Sequence, residues 1–341
     1  MRSPRATIAP PGSPLHHRAT TTMRRMQDAA ATTNPGSDTR PALRRWFDSE
    51  ATTPVEGKDP DRIDWLRVLP FLALHLACLG VIWTGVSAVA LAVAGGLYAL
   101  RMFAITGFYH RYFSHRSFST SRGLQFAFAV IGASSVQRGP LWWASHHRRH
   151  HRHADTDQDM HSPRHGVWHS HMGWFLTRRA FATDRAAIPD LLRYPELRWL
   201  DRFDIVVPAL LAAALYALGA WLEAARPTLG TSGPQMLAWG FCVSTIVLFH
   251  VTVTINSLAH RWGSRRFATR DDSRNNWLLA LLTFGEGWHN NHHHFPGAAR
   301  QGLRWWELDL TWYLLRAMAA CGLVWTRRSV PAAMRQPRPG N

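Results

Sequence analysis

The chain has 341 residues, 46% of them hydrophobic and 18% charged, with 39 Lys+Arg against 22 Asp+Glu and a formal net charge of +17 at pH 7. Three scattered cysteines without a Cys-x-x-Cys pair exclude a disulfide-stapled fold. The basic excess is almost entirely arginine and suits an anionic membrane surface; no motif supports nucleic acid as a partner.

Residues 1–60 mix Arg with Pro, Thr and Ser and show no helical or strand period, so they are expected to form a disordered basic tail. The stretch lacks the apolar core of a signal peptide. From Val68 to Leu100 there is no Asp, Glu, Lys or Arg. A turn at Thr84-Gly85-Val86-Ser87 divides this stretch into crossings over 68–84 and 88–108. Leu124 to Val136 is apolar but short for a crossing, and is expected at the interface or beneath a cap. A second pair of crossings follows over 205–222 and 236–258, joined by a Pro- and Gly-containing connection from Glu223 to Pro234. Keeping two such apolar stretches in a soluble protein would leave large exposed patches. The expected fold is therefore an all-α membrane protein with four transmembrane helices in two hairpins. A basic tail over 327–341 closes the chain.

Lys58, Arg62, Arg67, Arg101, Arg111, Arg116, Arg202, Arg261, Arg265 and Arg266 fall on one side of these hairpins, whereas the opposite connections offer only Glu223 and Arg226. The positive-inside rule makes the first side cytoplasmic and puts both termini there, with a helical cap formed by 109–204 and the region after 261. Trp142, Trp143, Trp168, Trp174, Trp277, Trp288, Trp305 and Trp306 lie near the ends of apolar segments, as interface anchors, packing residues or the lining of a lipid groove.

Of 20 histidines, 11 lie between His110 and His171 and four between His289 and His294. His147, His150 and His151 are spaced i, i+3, i+4 and share a helix face; His289, His292 and His293 repeat that spacing. His110 and His115 are five apart, about 140° around an ideal α-helix, so they reach different metals or the helix ends between them. Imidazoles packed this densely would repel if protonated, and their number exceeds what one metal uses, so a binuclear site is implied.

The strings His110-Arg-Tyr-Phe-Ser-His115, His147-Arg-Arg-His150-His151, Asn256-Ser-Leu-Ala-His260 and Glu286-Gly-Trp-His289-Asn-Asn-His292-His293-His294-Phe-Pro296 resemble the motifs of the membrane-bound acyl-CoA desaturases of the stearoyl-CoA (delta-9) type. The similarity covers roughly 61–314, within a desaturase domain taken as 61–326. It implies two iron ions held by His110, His115, His147, His150, His151, His260, His289, His292 and His293, with Asn256 holding a metal-bound water and O2 as co-substrate. It singles out His260, which spacing alone does not. His146, His153 and His294 are extra imidazoles, read as lying outside the ligand set. Asp155, Asp157, Asp159, Asp271, Asp272 and Glu286 are candidates to orient the rings and offset charge; none is read as a ligand, and Glu286 is preferred.

The resemblance implies an oxygen-dependent fatty acyl desaturase that inserts a cis double bond, at the delta-9 position, into an acyl-CoA or acyl-lipid. The expected location is a bacterial inner membrane with the site on the cytoplasmic face. No haem-binding domain accompanies the motifs, so electrons are expected from a separate donor such as a ferredoxin or a cytochrome b5-like protein, for which the Arg-rich surface is suited. The acyl tunnel is expected near Phe103 to Phe108 and Leu124 to Val136, with Arg138, Arg148 and Arg149 as possible phosphate contacts. A membrane di-iron hydroxylase of fatty acids or alkanes differs only after the first hydrogen abstraction. A membrane metal-binding or transport protein would need polar residues along the interior of its spans, where His75 and His250 are the only ionisable residues well inside and Asn256 lies near an end.

Overall fold

The absence of charge over 68–100 and 235–260 leaves little besides backbone hydrogen bonding to satisfy polar groups in lipid, which a helix does internally. In the computed structural model, which describes residues 44–51, 59–332 and 335, these stretches are helical. In chain order the helices used below are α1 (Arg44–Phe47), α2 (Trp65–Thr84), α3 (Ala88–Ser114), α4 (Arg122–Ala133), α5 (Pro140–His153), α6 (Val167–His171), α7 (Pro195–Arg202), α8 (Val206–Ala225), α9 (Gly233–Ser257), α10 (Trp277–Leu282), α11 (His289–His294) and α12 (Leu310–Ala320). Two short strands, β1 (Ser119–Thr120) and β2 (Val324–Trp325), pair antiparallel.

Helices α2, α3, α8 and α9 are long and apolar enough to cross a membrane. Side chains start them where the sequence allows: Ser87 accepts from Ala90 N ahead of α3, and Ser232 from Gln235 N ahead of α9. Between α2 and α3 the chain turns at Gly85, whose φ of +68° favours glycine. Thr231 Oγ1 donates to Ser87 Oγ (2.8 Å), Gln235 Nε2 to the Thr84 carbonyl (2.8 Å) and Trp239 Nε1 to the Gly85 carbonyl (2.8 Å), which brings the two connecting turns together. Gly219 lets α8 approach the start of α9, since a Cβ there would stand 2.4 Å from the Ser232 carbonyl oxygen.

Arg101, expected at a membrane boundary, is instead buried inside α3. It donates to the carbonyls of Leu97 and Ser134 and to the hydroxyls of Ser244 and Thr245. Spread over several neutral acceptors, its donors are met without a carboxylate. Below it the largest core gathers the end of α3 with α4, α5, α7 and α12 around Phe108, Tyr109, Phe113, Leu141, Leu197, Leu200 and Leu315. The Phe108 and Phe128 rings stack at 3.9 Å, which fixes α4 against α3.

Both tail boundaries shift where the structure describes them. Residues 44–51, assigned to the basic tail by composition, pack on the domain: Asp48 is buried and takes a bidentate ion pair from Arg202 (3.0 and 2.9 Å). At the other end, Arg328 N donates to Ser117 O, Ala299 N to Arg328 O, and Val330 is buried. The rest of the proposed tails, 1–43, 52–58, 333–334 and 336–341, lies outside the described residues.

Candidate metal centre

The last part of α3, Ala104–Ser114, is wound as a π-helix, and His115 N donates to His110 O (3.2 Å) in the i→i+5 pattern. Residues five apart then stack above one another, and the His110 and His115 rings lie 4.8 Å apart. Of the two expected outcomes, the helix does end between these histidines, at Ser114 with His115 as its cap, whereas they do not reach different groups, because the π winding brings them together.

All nine histidines of the motifs converge in two groups. His110, His115, His147, His151 and His292 form one; His150, His260, His289 and His293 form the other, with the ligand atoms of each group within 4.8 Å of one another. Each i, i+3, i+4 triad is divided between the groups. On α5 the i, i+4 pair His147 and His151 serves the first and His150 the second; on α11 the pair His289 and His293 serves the second and His292 the first. Two helices carrying the same spacing thus each supply both groups. Nε2 faces Nε2 across them, at 2.7 Å for His115–His147, 2.9 Å for His151–His292, 3.1 Å for His110–His292, 3.0 Å for His260–His289 and 3.4 Å for His150–His293.

Four buried carboxylates hold the opposite ring nitrogens. Glu286 meets His110 Nδ1 (2.5 Å), Asp159 His150 Nδ1 (2.9 Å), Asp155 His260 Nδ1 (2.8 Å) and Asp271 His293 Nδ1 (2.8 Å). The preference for Glu286 was therefore one quarter of the pattern. Asp157 is exposed and the Asp272 carboxylate pairs with Arg164, so neither carboxylate reaches a histidine, although Asp272 N donates to Asp155 Oδ2 (2.7 Å). The guanidinium of Arg111, counted from the sequence among the basic residues on one side of the hairpins, is buried and bridges Glu286 and Asp309. Gln301 Nε2 donates to Glu286 Oε2 (2.9 Å).

This network fits cations. With Nδ1–H of His150 given to Asp159 and that of His293 to Asp271, both Nε2 atoms are bare acceptors facing each other, and two lone pairs do not bond without a cation between them. Burial, reinforced by the neighbouring imidazoles, holds His115, His147, His151, His289 and His292 well below the usual histidine range and keeps them as neutral donors of electron pairs. Burial would raise Asp155, Asp159, Asp271 and Glu286, but their histidine partners and other hydrogen bonds win and hold all four below the usual carboxylate range. Four ionised carboxylates would balance two divalent cations placed between the histidines, while Arg111 bridges Glu286 and Asp309.

Of the extra imidazoles, His294 stacks on Phe267 at 4.0 Å and 7°, and His146 stacks on Trp142 with its Nδ1 at the Trp142 carbonyl; neither joins a group, nor does His153. Two cavities reach the centre. The larger, about 260 Å³, is lined among others by Phe71, Trp142, Trp143, Trp174 and Phe249, and meets the centre at His147 and Asn256. The smaller, about 50 Å³, continues past His110, His147, His150 and His289 to Met102, Ile105 and Thr106. The walls expected from Phe103 to Phe108 are thus present in part, whereas of Leu124 to Val136 only Val136 lines either of these two cavities, because α4 is spent on packing against α3. Among the arginines named as phosphate contacts, Arg138 lines the larger cavity and Arg148 is consumed by Asp190 and three backbone carbonyls.

The profile of the family described as "Fatty acid desaturase" matches residues 85–328. The chain is 40% identical over 270 residues to the chloroplastic palmitoyl-monogalactosyldiacylglycerol delta-7 desaturase of Arabidopsis thaliana, covering 76% of this chain and 68% of that protein. It is 36% identical over 282 residues to the sn-2 palmitoyl-lipid 9-desaturase of Nostoc sp. (strain 36), covering 80% and 93%. It is 37% identical over 285 residues to the acyl-CoA C20 Delta5-desaturase of Anemone leveillei, covering 79% and 86%.

Proposed function

Because the chain belongs to the fatty acid desaturase family, we propose that it inserts a cis double bond at carbon 9 of a saturated acyl chain carried on CoA or on a membrane lipid. The coarser statement, a membrane enzyme of the desaturase type, follows from the family match and the four apolar helices. Position 9 is the finer reading, supported by relatives named as 9-desaturases of lipid-bound acyl chains. The observation that carries the proposal is the division of nine imidazoles into two groups of converging Nε2 atoms.

In this reading His110, His115, His147, His151 and His292 would hold one iron, and His150, His260, His289 and His293 the other, with Asn256, which lines both cavities, as the residue that would hold a metal-bound water. Two irons bound there would supply, with O2 and two external electrons, the oxidising power needed to take hydrogens from two unactivated methylenes. The chain's own part is geometry. The aromatic walls exclude water and lay the acyl chain along the histidines, so one pair of methylenes is presented and cavity depth beyond Thr106 sets the position. Glu286, Asp155, Asp159 and Asp271 keep Nδ1 protonated and Nε2 free at each ring they hold.

The two pairs of crossings are taken as hairpins with the histidine end toward the cytoplasm, a reading that the arginine distribution supports. A separate acidic redox protein would deliver electrons to that face. Expression in a desaturase-deficient host, followed by mass-spectrometric location of double bonds in extracted lipids, tests the proposal. New monounsaturated acyl chains that disappear with His150→Ala are expected. Hydroxylated chains would favour the hydroxylase reading, and an unchanged lipid profile would reject both.

A further inference from the structure

At the outer end of the larger cavity lies a cationic group whose guanidinium fork, among the described residues, is left without hydrogen bonds and faces a carboxylate only at long range. The Arg67 side chain is 3% exposed, its Nε is 3.9 Å from Asp64, and its Nη1 and Nη2 are buried without a hydrogen-bond partner. Its guanidinium lies over the Phe181 ring at 5.1 Å, and that ring also carries Arg138 at 5.3 Å, whose own charge is met by Asp204 at 3.1 Å. Arg45, Arg67, Arg138 and Asp204 all line the cavity at this end. A buried fork with two unmade bonds is costly unless a ligand supplies oxygens to it.

Arg45 and Trp46 of α1 line the same end. The segment 44–51 is held mainly by polar ties: Trp46 Nε1 donates to Leu66 O (2.6 Å), Ser49 Oγ to Asp201 O (2.8 Å), Asp48 takes Arg202, and Glu50 pairs with Arg185 and, at 3.6 Å, with Arg202. Phe47 remains 57% exposed. An element fixed by ion pairs and hydrogen bonds, with little apolar burial, opens at lower cost than the helices beneath it. It also precedes the stretch that matches the family profile, which begins at residue 85.

We propose that residues 44–51 form a strap that closes over the polar end of the acyl donor, with the Arg67 guanidinium as the contact for a phosphate oxyanion of that donor. The inference rests on the reading of the cavity as the acyl site. A phosphate is common to acyl-CoA and to an acyl phospholipid, and the fork matches either.

The test uses the full-length, iron-loaded enzyme without reductant, so that binding is read apart from turnover. Equilibrium binding of stearoyl-CoA and of distearoyl-phosphatidylglycerol is measured for the wild type, Arg67→Gln and Arg67→Lys, together with tryptic cleavage after Arg44 and Arg45. Loss of the charged contact should weaken one of the two donors by about ten-fold or more, with partial recovery in Arg67→Lys; the donor affected identifies the source of the phosphate. Saturating donor should slow cleavage of the strap, and Asp48→Asn should speed it. Unchanged binding of both donors in a thermally intact Arg67→Gln, or cleavage indifferent to donor, would overturn the proposal. If the wild type binds donor but forms no double bond when reductant is added, the desaturase reading fails while this site stands.

Discussion

Replacing Asp159 by Asn isolates the role of one carboxylate. In the wild type Asp159 Oδ2 accepts from His150 Nδ1 (2.9 Å) and from Asp155 N (3.0 Å), while Oδ1 accepts from His161 N (3.2 Å). An amide offers one oxygen and one NH2, so one of these two sides must face donor against donor. With the NH2 on the Oδ1 side it meets the His161 amide, and His150 Nδ1 keeps only a neutral amide oxygen in place of a carboxylate. With the NH2 on the Oδ2 side it meets the Asp155 amide and donates to His150 Nδ1, driving the ring proton to Nε2, the atom 3.4 Å from His293 Nε2. Either way the group of four histidines has one electron pair weakened or lost, whereas the group of five is untouched. A loss of about 10–100-fold in metal affinity follows, roughly 1.4–2.7 kcal/mol. Iron per chain, measured after graded chelator challenge, should fall from two toward one at chelator concentrations the wild type withstands. Asp157→Asn, at an exposed site, should leave it at two. Two irons retained in Asp159→Asn with unaltered chelator resistance would refute the reasoning.

Glu286→Gln should act on the other group through His110, lowering iron retention by a comparable factor and also releasing Arg111, so thermal stability should drop as well. Gly219→Val should destabilise by about 1–3 kcal/mol in a chemical denaturation series, because its Cβ would stand 2.4 Å from the Ser232 carbonyl. Met102→Trp should narrow the small cavity beyond the histidines and shift the preferred substrate to shorter acyl chains, read by competition between palmitoyl and stearoyl donors. Burial lowers His146 to about 4, and a depressed folded pKa contributes stability above the unfolded value near 6.5 that is lost as pH falls toward 4. From that residue alone the loss at pH 5 is about 2 kcal/mol, and His146→Phe should flatten the matching part of the Tm-versus-pH curve.

The residues that form the centre were visible in the sequence because metal chemistry repeats itself in short strings. His147-x-x-His150-His151 and His289-x-x-His292-His293 declare a shared face by spacing alone. His260 does not, since it stands by itself at the end of α9, and only the resemblance of the Asn256-to-His260 string marks it. For His110 and His115 the end of the helix between them is legible in the sequence, but their meeting in one group is not, because an α-helical angle does not apply to a segment whose hydrogen bonds run i→i+5. Among the carboxylates only Glu286 stands out in the sequence, beside its triad; Asp155, Asp159 and Asp271 are not distinguished from Asp157 and Asp272, because their histidines lie up to 105 residues away in sequence, as for Asp155 and His260. Arg101 and Arg111 looked like boundary charges because hydropathy weighs a charge and cannot see its partners. Residues 44–51 looked like tail for the same reason, since Asp48 and Glu50 find Arg202 and Arg185 only in the folded chain.

Iron K-edge X-ray absorption on the purified, catalytically active enzyme, combined with metal analysis, addresses the central claim most directly. Two irons per chain with imidazole nitrogen as the dominant ligand are predicted, with the nitrogen shell diminished in His150→Ala. Active enzyme without iron, or iron bound chiefly by sulfur or carboxylate oxygen, would contradict the account.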